Sequence, residues 1–598
     1  DIFFVISGFL ITRQLISFES TSIKEALLVF YKRRIARLFP ALFLFLLLTY
    51  VVVKFFLLST DIAKFESSLI SAYSFWSNIY FWRDGGYFGG NDQLKPLLHI
   101  WSLSVEEQFY LLSPLIILLL TKLNAKIKKS LLIGVFGVVL ASFFLWHYLH
   151  FIGGSNPAFF LLPTRVWQFG LGALIAIKYA GYVTKFEDGT FRKVFLSISL
   201  LLIIVGILSS FDSQVQTILV SVGTAGFINF VANNSFFIAK VFRTKSAVFF
   251  GKISYSLYLY HWPIAVGLNY YFIEHVPLAY SLLGITASIV FGWLSFSLIE
   301  NRFRYSRKFS STLLFLLFCI TASLLLYFVN FKNDKTSLSN VIGNASGTNY
   351  RCDIASYRPY GASRACVLKT SVVEQSTIVL LGNSHAQMYA PMFMDMELDN
   401  INILLVPLNG CLPTTSINIS SKCTSLARKN LSTVLADKSV VSVVVASTWY
   451  AESYVDENGV IVSSDKLFSE MKALMDEIKG SGKRPILFSP IPIPSKDYAS
   501  ELARALHFNK ITETEALDII RAPRLSFDTK FAQFNNDLVE LLGTSYIRIY
   551  DELCDQSFCY YGRDDVFYFA DSNHLSKNVI VQFENAKEQL RIALERVD

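Results

Sequence analysis

Apolar blocks near the length that crosses a bilayer recur through the first half of this chain. In hydrocarbon such a block has to be helical, because only a helix satisfies its own backbone polar groups. Ten blocks fall at about 2–16, 38–58, 97–121, 131–149, 161–178, 194–210, 214–233, 247–270, 279–298 and 311–330. Their connectors alternate in charge. Those from Lys24 to Arg37, Lys122 to Lys129, Lys178 to Lys193, Lys240 to Lys245 and Arg302 to Lys308 are basic. Those around Asp84, Gly153, Asp212 and Glu274 are not. Basic connectors collect at the cytoplasmic face, so the alternation predicts that residue 1 and everything beyond residue 330 lie outside. The net charge of +8 then belongs to membrane flanks and does not argue for a nucleic-acid partner. The piece from Phe65 to Trp82 is apolar but studded with Ser, Asn and aromatic residues, and reads as a re-entrant or interfacial helix.

Beyond residue 330 the apolar blocks stop and soluble patterning begins. The cysteines divide at the same place. Cys319 stands alone in an apolar block, while the other six lie in the soluble half. Six cysteines allow 15 connectivities; the simplest pairs sequence neighbours, as Cys352–Cys366, Cys411–Cys423 and Cys554–Cys559. An even set confined to this half predicts an oxidising compartment, in agreement with the topology. No Cys-x-x-Cys or His cluster suggests a metal site.

Within the soluble half, the apolar, β-branched run Ser376 to Leu381 predicts a buried parallel strand. Gly382-Asn383-Ser384-His385 then turns the chain, and Ser384 stands where a helix should begin, close to an N-terminus that favours developing negative charge. A serine is inert until a base takes its proton. Asp571-Ser572-Asn573-His574 supplies one near the far end of the chain, with Asp571 spaced to hold the imidazole's tautomer. Asp551 and Asp555 are nearby acids, but Asp571 shares a turn with His574. Ser376–Leu381, Ile401–Pro407, Val440–Ala446, Pro485–Ser489 and Tyr546–Tyr550 read as strands, and Lys466–Gly480 and Asp528–Gly543 as amphipathic helices. That order predicts a three-layer α/β domain with its site at the strand ends.

The membrane half carries polar groups that are costly at bilayer depth. Taken alone, Arg33-Arg34-x-x-Arg37-x-x-Pro40 reads first as plain positive-inside anchoring, and second as phosphate recognition by planar guanidinium forks. His99 to Tyr110 opens the third block and brings Glu106, Glu107 and Gln108 into it, as for a polar chamber or helix pairing. Arg165 lies in the fifth block. His261 lies in the eighth, where Pro263 is expected to break the helix and free backbone groups. His99 and His261 each read as either a catalytic or a satisfied structural histidine.

Four stretches in this order carry a resemblance: Asp1 to Thr12 (DIFFVISGFLIT), the Arg33/Arg34/Arg37/Pro40 cluster, His99-x-Trp101-Ser102-Leu103-x-x-Glu106, and Ser254 to Pro263 (SYSLYLYHWP). Together they resemble the acyltransferase family 3 membrane proteins. More closely, the chain resembles the bacterial O-antigen and surface-polysaccharide O-acetyltransferases that carry a C-terminal SGNH domain. The resemblance implies a multi-span inner-membrane domain over 1–331, a disulfide-pinned linker over 332–375 and a periplasmic SGNH-like domain over 376–598. It implies acetyl transfer from cytoplasmic acetyl-CoA to a periplasmic surface polysaccharide or lipid-linked glycan. Arg33, Arg34 and Arg37 would then contact the CoA phosphates, Ser384, Asp571 and His574 would match the SGNH triad, and Gly410 the second oxyanion donor. His99, Glu106, Arg165 and His261 are candidates in the membrane domain, and no bound cofactor or metal is implied.

The chain departs from the family pattern in three places. It begins at Asp1 inside an apolar run, so the family's first helix, with its essential His, is expected to precede it. Residue 383 is Asn where Asp is common. Val444 to Trp449 occupies the place of the usual Asn donor. Two rival functions stay open at the level of sequence: a membrane-anchored glycan esterase or deacetylase, and a non-enzymic transporter or receptor with a degenerate ectodomain.

Overall fold

The computed structural model describes the chain except residues 19–21, 85–91, 123–126, 152–154, 178–188, 232–236, 306–308, 330–337, 339–340, 343–344, 346–355, 371–375, 399–400, 409, 457–458, 495–497, 564–565 and 596–598. It describes no side chain at 119–122, 127–132, 155, 189, 238, 421 or 498. The chain divides into two compact units, Asp1–Asn333 and Asp334–Asp598.

In the first unit each of the ten apolar blocks coincides with a helix: Ile2–Ile16, Ile23–Phe56, Ile100–Lys122, Ile127–Phe151, Val166–Ile177, Gly189–Leu208, Ser213–Val231, Lys245–Phe272, Leu278–Ser295 and Phe309–Tyr327. Among the described residues six are long and apolar enough to cross a membrane, fewer than the ten spans expected. Ile2–Ile16 and Val166–Ile177 are apolar but shorter. Ile100–Lys122 and Lys245–Phe272 are diluted by the polar residues Glu106, Glu107, Gln108, Ser256 and His261. The stretch from Phe65 to Trp82 falls in two helices, Ser59–Tyr73 and Ser77–Arg83, separated by Phe75 with φ at +57°. An apolar surrounding favours pairing of a buried charge, and Lys54 is an example. Buried Lys54 lies 2.8 Å from Glu66, which also accepts the Tyr50 hydroxyl at 2.6 Å.

Pro263 does not break its helix, which runs unbroken from Lys245 to Phe272. Proline lacks an N–H, so the carbonyl four residues earlier, on Leu259, loses its helical donor. His99 Nε2 fills the gap from the turn just before the helix Ile100–Lys122, donating to the Leu259 carbonyl at 3.1 Å. Satisfaction across helices is what lets a proline remain inside one.

The second unit is built on a seven-stranded sheet of order β1-β2-β4-β3-β5-β6-β8. These strands are β1 (Tyr357–Tyr360), β2 (Ser363–Lys369), β3 (Thr377–Gly382), β4 (Asn402–Pro407), β5 (Val440–Ala446), β6 (Arg484–Phe488) and β8 (Tyr546–Ile547), with β7 (Arg521–Pro523) in a separate pair. From β3 to β8 the pairing is parallel, while β1 and β2 add antiparallel strands beside β4. Residues 357–369, expected in the linker, therefore belong to the sheet. Tyr550 opens a short helix instead of ending a strand. Helices cover both faces. Leu467, Met471, Leu474 and Ile478 of Ser464–Gly480, with Phe527, Phe531, Phe534 and Leu538 of Arg524–Leu542, share one core with Val379, Leu381, Val443 and Val445. On the other face, Tyr389 and Phe393 of the helix Ser384–Asp395 pack on Phe488, with ring centroids at 4.9 and 6.2 Å. All six residues of β3 are buried, which is why its sequence is an unbroken apolar run.

The chain passes from β3 to β4 on one side and returns to β5 on the other. Order reverses between β3 and β5, and a crevice outside the carboxyl ends of such strands is the usual binding place in open α/β sheets. Gly382 ends β3 there. A Cβ on it would lie 1.8 Å from the Ala446 carbonyl oxygen of β5, so a backbone rather than a side chain would have to move. Gly382→Ala is expected to destabilise the second unit on the order of 3 kcal/mol. Thermal unfolding of that unit checks this; an unchanged midpoint would contradict the packing described.

Candidate active site

Ser384 is the first residue of the helix that follows β3, with Asn383 alone between them. Asn383 caps that helix, its side-chain oxygen accepting the His385 N–H at 3.0 Å. The opposite wall comes from 190 residues later in the chain. His574 Nε2 lies 2.7 Å from Ser384 Oγ. Its Nδ1 faces Asp571, at 2.8 Å from Oδ2 and 3.1 Å from Oδ1. Asp571 Oδ1 also accepts the backbone N–H groups of Asn573 at 2.8 Å and His574 at 2.7 Å. A carboxylate can only accept, so Nδ1 carries the proton and Nε2 offers its lone pair to the serine hydroxyl. Burial pushes the Asp571 carboxyl up, but the hydrogen bond and charge of His574 and the two amides outweigh it and hold the group below its ordinary range. Asp571 therefore stays ionised, as an orienting group must.

Ser384, His574 and Asp571 are partly exposed, so the cluster is open to a substrate. Asp551 and Asp555 go elsewhere: Asp551 pairs with Arg548 at 3.2 Å, and Asp555 accepts the Tyr560 hydroxyl at 2.7 Å. Gly410 follows β4, whose Pro407 is in register with Gly382, and the Leu408 N–H donates to the Gly382 carbonyl at 2.7 Å. Gly410 has φ at +91°, a conformation that suits glycine. Cys411 beside it is bonded to Cys423, and Cys554 to Cys559. Of the third expected pair, Cys366 is disulfide-bonded, and Cys352 lies outside the described residues, as does Asn409.

Two contacts were not anticipated from sequence. Thr448 lies just past β5, within the stretch 444–449. Its hydroxyl accepts the Asn383 amide at 3.2 Å, which leaves its own proton for another acceptor. His385, beside Ser384, is buried and donates from Nε2 to Asn573 Oδ1 at 3.1 Å. The signal for both was weak: a polar residue just beyond a buried strand, and a second histidine inside the first motif.

The membrane-half candidates do not form one cluster. His99 is buried against the Leu259 carbonyl, with its ring centroid 5.6 Å from that of His261, whose Nδ1 meets the Tyr258 carbonyl at 2.6 Å. Glu106 Oε2 accepts the Tyr110 hydroxyl at 2.7 Å, and the Arg34 guanidinium lies 4.3 Å from the Tyr110 ring. Arg37 Nε is 3.8 Å from Glu300. Arg34 and Arg37, one turn apart on a helix, share an inward face, whereas Arg33 is exposed. Arg165 is buried, donating to the Phe159 carbonyl at 2.8 Å and lying 3.1 Å from Asp1. Among the described residues no group of His, Cys, Asp or Glu side chains gathers that could hold a metal.

Residues 1–299 match the family model described as an acyltransferase domain, and residues 351–584 the one described as an SGNH domain fused to AT3 domains. O-acetyltransferase OatA of Staphylococcus aureus (strain NCTC 8325 / PS 47) is 32% identical over 319 residues, 51% of this chain and 52% of that protein. A putative O-acetyltransferase of S. aureus strain COL is 35% identical over the same length and the same shares. The chain thus spans about half the length of these curated relatives. The solved periplasmic domain of a Salmonella ser. Paratyphi A lipopolysaccharide acetyltransferase aligns over 37% of this chain and 84% of its own, at 15% identity and a TM-score of 0.29, too low to bear on the fold.

Buried His385 is held neutral, its pKa pushed down to about 3 by burial first and by the charge of His574 second. An unfolded histidine titrates near 6.5. The stability this group gives is therefore full above about pH 6.5 and is lost as pH falls towards 3, at up to about 1.4 kcal/mol per unit. His385→Gln keeps an N–H donor but cannot take the proton. The variant should show a flatter fall in unfolding temperature of the second unit between pH 6.5 and 4; parallel curves would contradict the assignment.

Proposed function

We propose a function from one premise: the chain belongs to the acyltransferase family that its first 299 residues match, in a form fused to an SGNH domain. The chain is read as an O-acetyltransferase of a cell-surface polysaccharide. Acetyl-CoA is its donor on the cytoplasmic side of the bacterial inner membrane, and the second unit works in the periplasm. Arg33, Arg34 and Arg37 bind the phosphates of the donor. The membrane unit delivers the acetyl group outward, and Ser384 carries it to a sugar hydroxyl. The S. aureus relatives, named O-acetyltransferases, support this reading.

The observation that carries it is the 2.7 Å contact between Ser384 Oγ and His574 Nε2, backed by Asp571. His574 takes the serine proton as Oγ attacks the acetyl carbonyl, and the leaving group departs with that proton. In the second half the sugar hydroxyl gives its proton to Nε2, its oxygen bonds to the acetyl carbon, and the Oγ–acetyl bond breaks with the proton returning to Oγ. The backbone N–H groups of Ser384 and Gly410 and the Thr448 hydroxyl stabilise the tetrahedral oxyanion.

In vesicles holding the full protein with the glycan acceptor, Ser384→Ala should abolish transfer of labelled acetyl from acetyl-CoA while expression stays normal. Wild-type transfer by this variant would mean that the membrane unit acylates the glycan directly. Thr448→Val, which keeps shape and loses the donor, should slow transfer about tenfold to a hundredfold. An unchanged rate would remove Thr448 from the oxyanion site.

A further inference from the structure

The serine–histidine contact has a weakness in the reaction just proposed. It is made by the serine proton, and acylation removes that proton. At the acyl-enzyme stage Ser384 Oγ has no hydrogen to donate, although His574 must then stand ready to deprotonate the incoming hydroxyl. Asp571 orients the imidazole but sits in the same turn, so it cannot by itself fix that turn against the nucleophile helix.

We propose that His385 and Asn573 are positioning residues, a second tether between nucleophile helix and base turn that holds His574 in place while Ser384 is acylated. This rests on the reading of Ser384 as acyl carrier. Successive helical residues point about 100° apart, so Ser384 faces the open site while His385 turns inward and is 3% exposed. The His385 Nε2–H donates to Asn573 Oδ1 at 3.1 Å, and Asn573 is bonded covalently to His574. The Asn573 N–H also donates to Asp571 Oδ1, so the tether holds the backbone of the turn as well as its side chain. Neither partner exchanges an atom in the reaction, and the bond is the same before and after acylation. Leu575, on the far side of His574, donates its N–H to Met388 Sδ of the same helix at 3.4 Å. The base is thus flanked by two contacts to one helix. Because burial keeps His385 uncharged, it goes on donating without competing for the proton when its neighbour becomes an imidazolium.

The consequence is a split between the two halves of turnover. The first half begins with Ser384 and His574 already bonded and depends little on the tether. The second begins without that bond and depends on it strongly. The test uses the full-length protein in vesicles with p-nitrophenyl acetate, water serving as acceptor. Nitrophenolate release gives burst and steady state, and mass analysis of the Ser384 peptide gives its acetyl occupancy. Asn573→Ala should lower the steady state about tenfold or more and the burst rate less than about threefold, so that acetyl-Ser384 accumulates. His385→Phe should do the same, and His385→Gln, which retains a donor, should recover most of the loss. Equal falls in burst and steady state, or no fall in either, would overturn the tether while leaving the serine's role intact. Hydrolysis and acetylation unchanged by Ser384→Ala would instead overturn the acyl-carrier reading, and the tether with it.

Discussion

Where β3 ends, the carbonyl of Ala446 on β5 comes so near Gly382 that no side chain fits between them. That approach lets the chain turn at once from a buried strand into a helix, which sets Ser384 at the strand-order reversal with its hydroxyl outward. The cap from Asn383, the loop carrying Gly410 and the position of Thr448 all follow from strands drawn together at this point. The triad is not assembled by one flexible loop closing on another. A sheet fixes one half, and the turn 571–574, closed by two backbone amides on a single carboxylate oxygen, is rigid in its own right.

The two units solve a shared problem in different ways. A proline or a charge inside an apolar bundle leaves backbone or side-chain groups that need partners. In the first unit the partner comes from a segment distant in sequence, as His99, in the turn before another helix, does for the carbonyl that Pro263 leaves unbonded. In the second unit Ser384, His574 and Asp571 gather beyond the carboxyl end of β3, where their partners are a helix terminus and a turn. Partly exposed groups there hold their charge states through hydrogen bonds, and Asp571 shows that several donors can outweigh burial.

Much of this was legible in the residues. Strands β3 to β6 announced themselves as β-branched runs, and the ten apolar blocks as helices. Ser384, Asp571 and His574 could be paired because a nucleophile demands a base and a base an orienter. What escaped was whatever depends on contacts between distant segments. β1 is short and polar, β2 carries Cys366 and two arginine or lysine residues, and both become strands through pairing, β2 with β4 and β1 with β2. Pro263 looked like a helix breaker because its rescue comes from His99, far away in sequence. Arg33, Arg34 and Arg37 read as one cluster, yet helical geometry turns two inward and leaves the third exposed. Thr448 and Asn573 carry no motif of their own, and the hydrogen bonds that single them out exist only in the folded unit.

The antiparallel pair β1 and β2 also bears on how the second unit survives when cut free. β2 covers the outer side of β4, and β1 lies beyond it. A fragment beginning at residue 376, where the parallel strands start, would strip both away and bare a row of unpaired N–H and C=O groups along an apolar strand. Such an edge recruits any extended chain nearby and leads to aggregation. Proteolytic trimming past Lys369 would therefore be expected to precipitate the unit even with the turn 571–574 untouched.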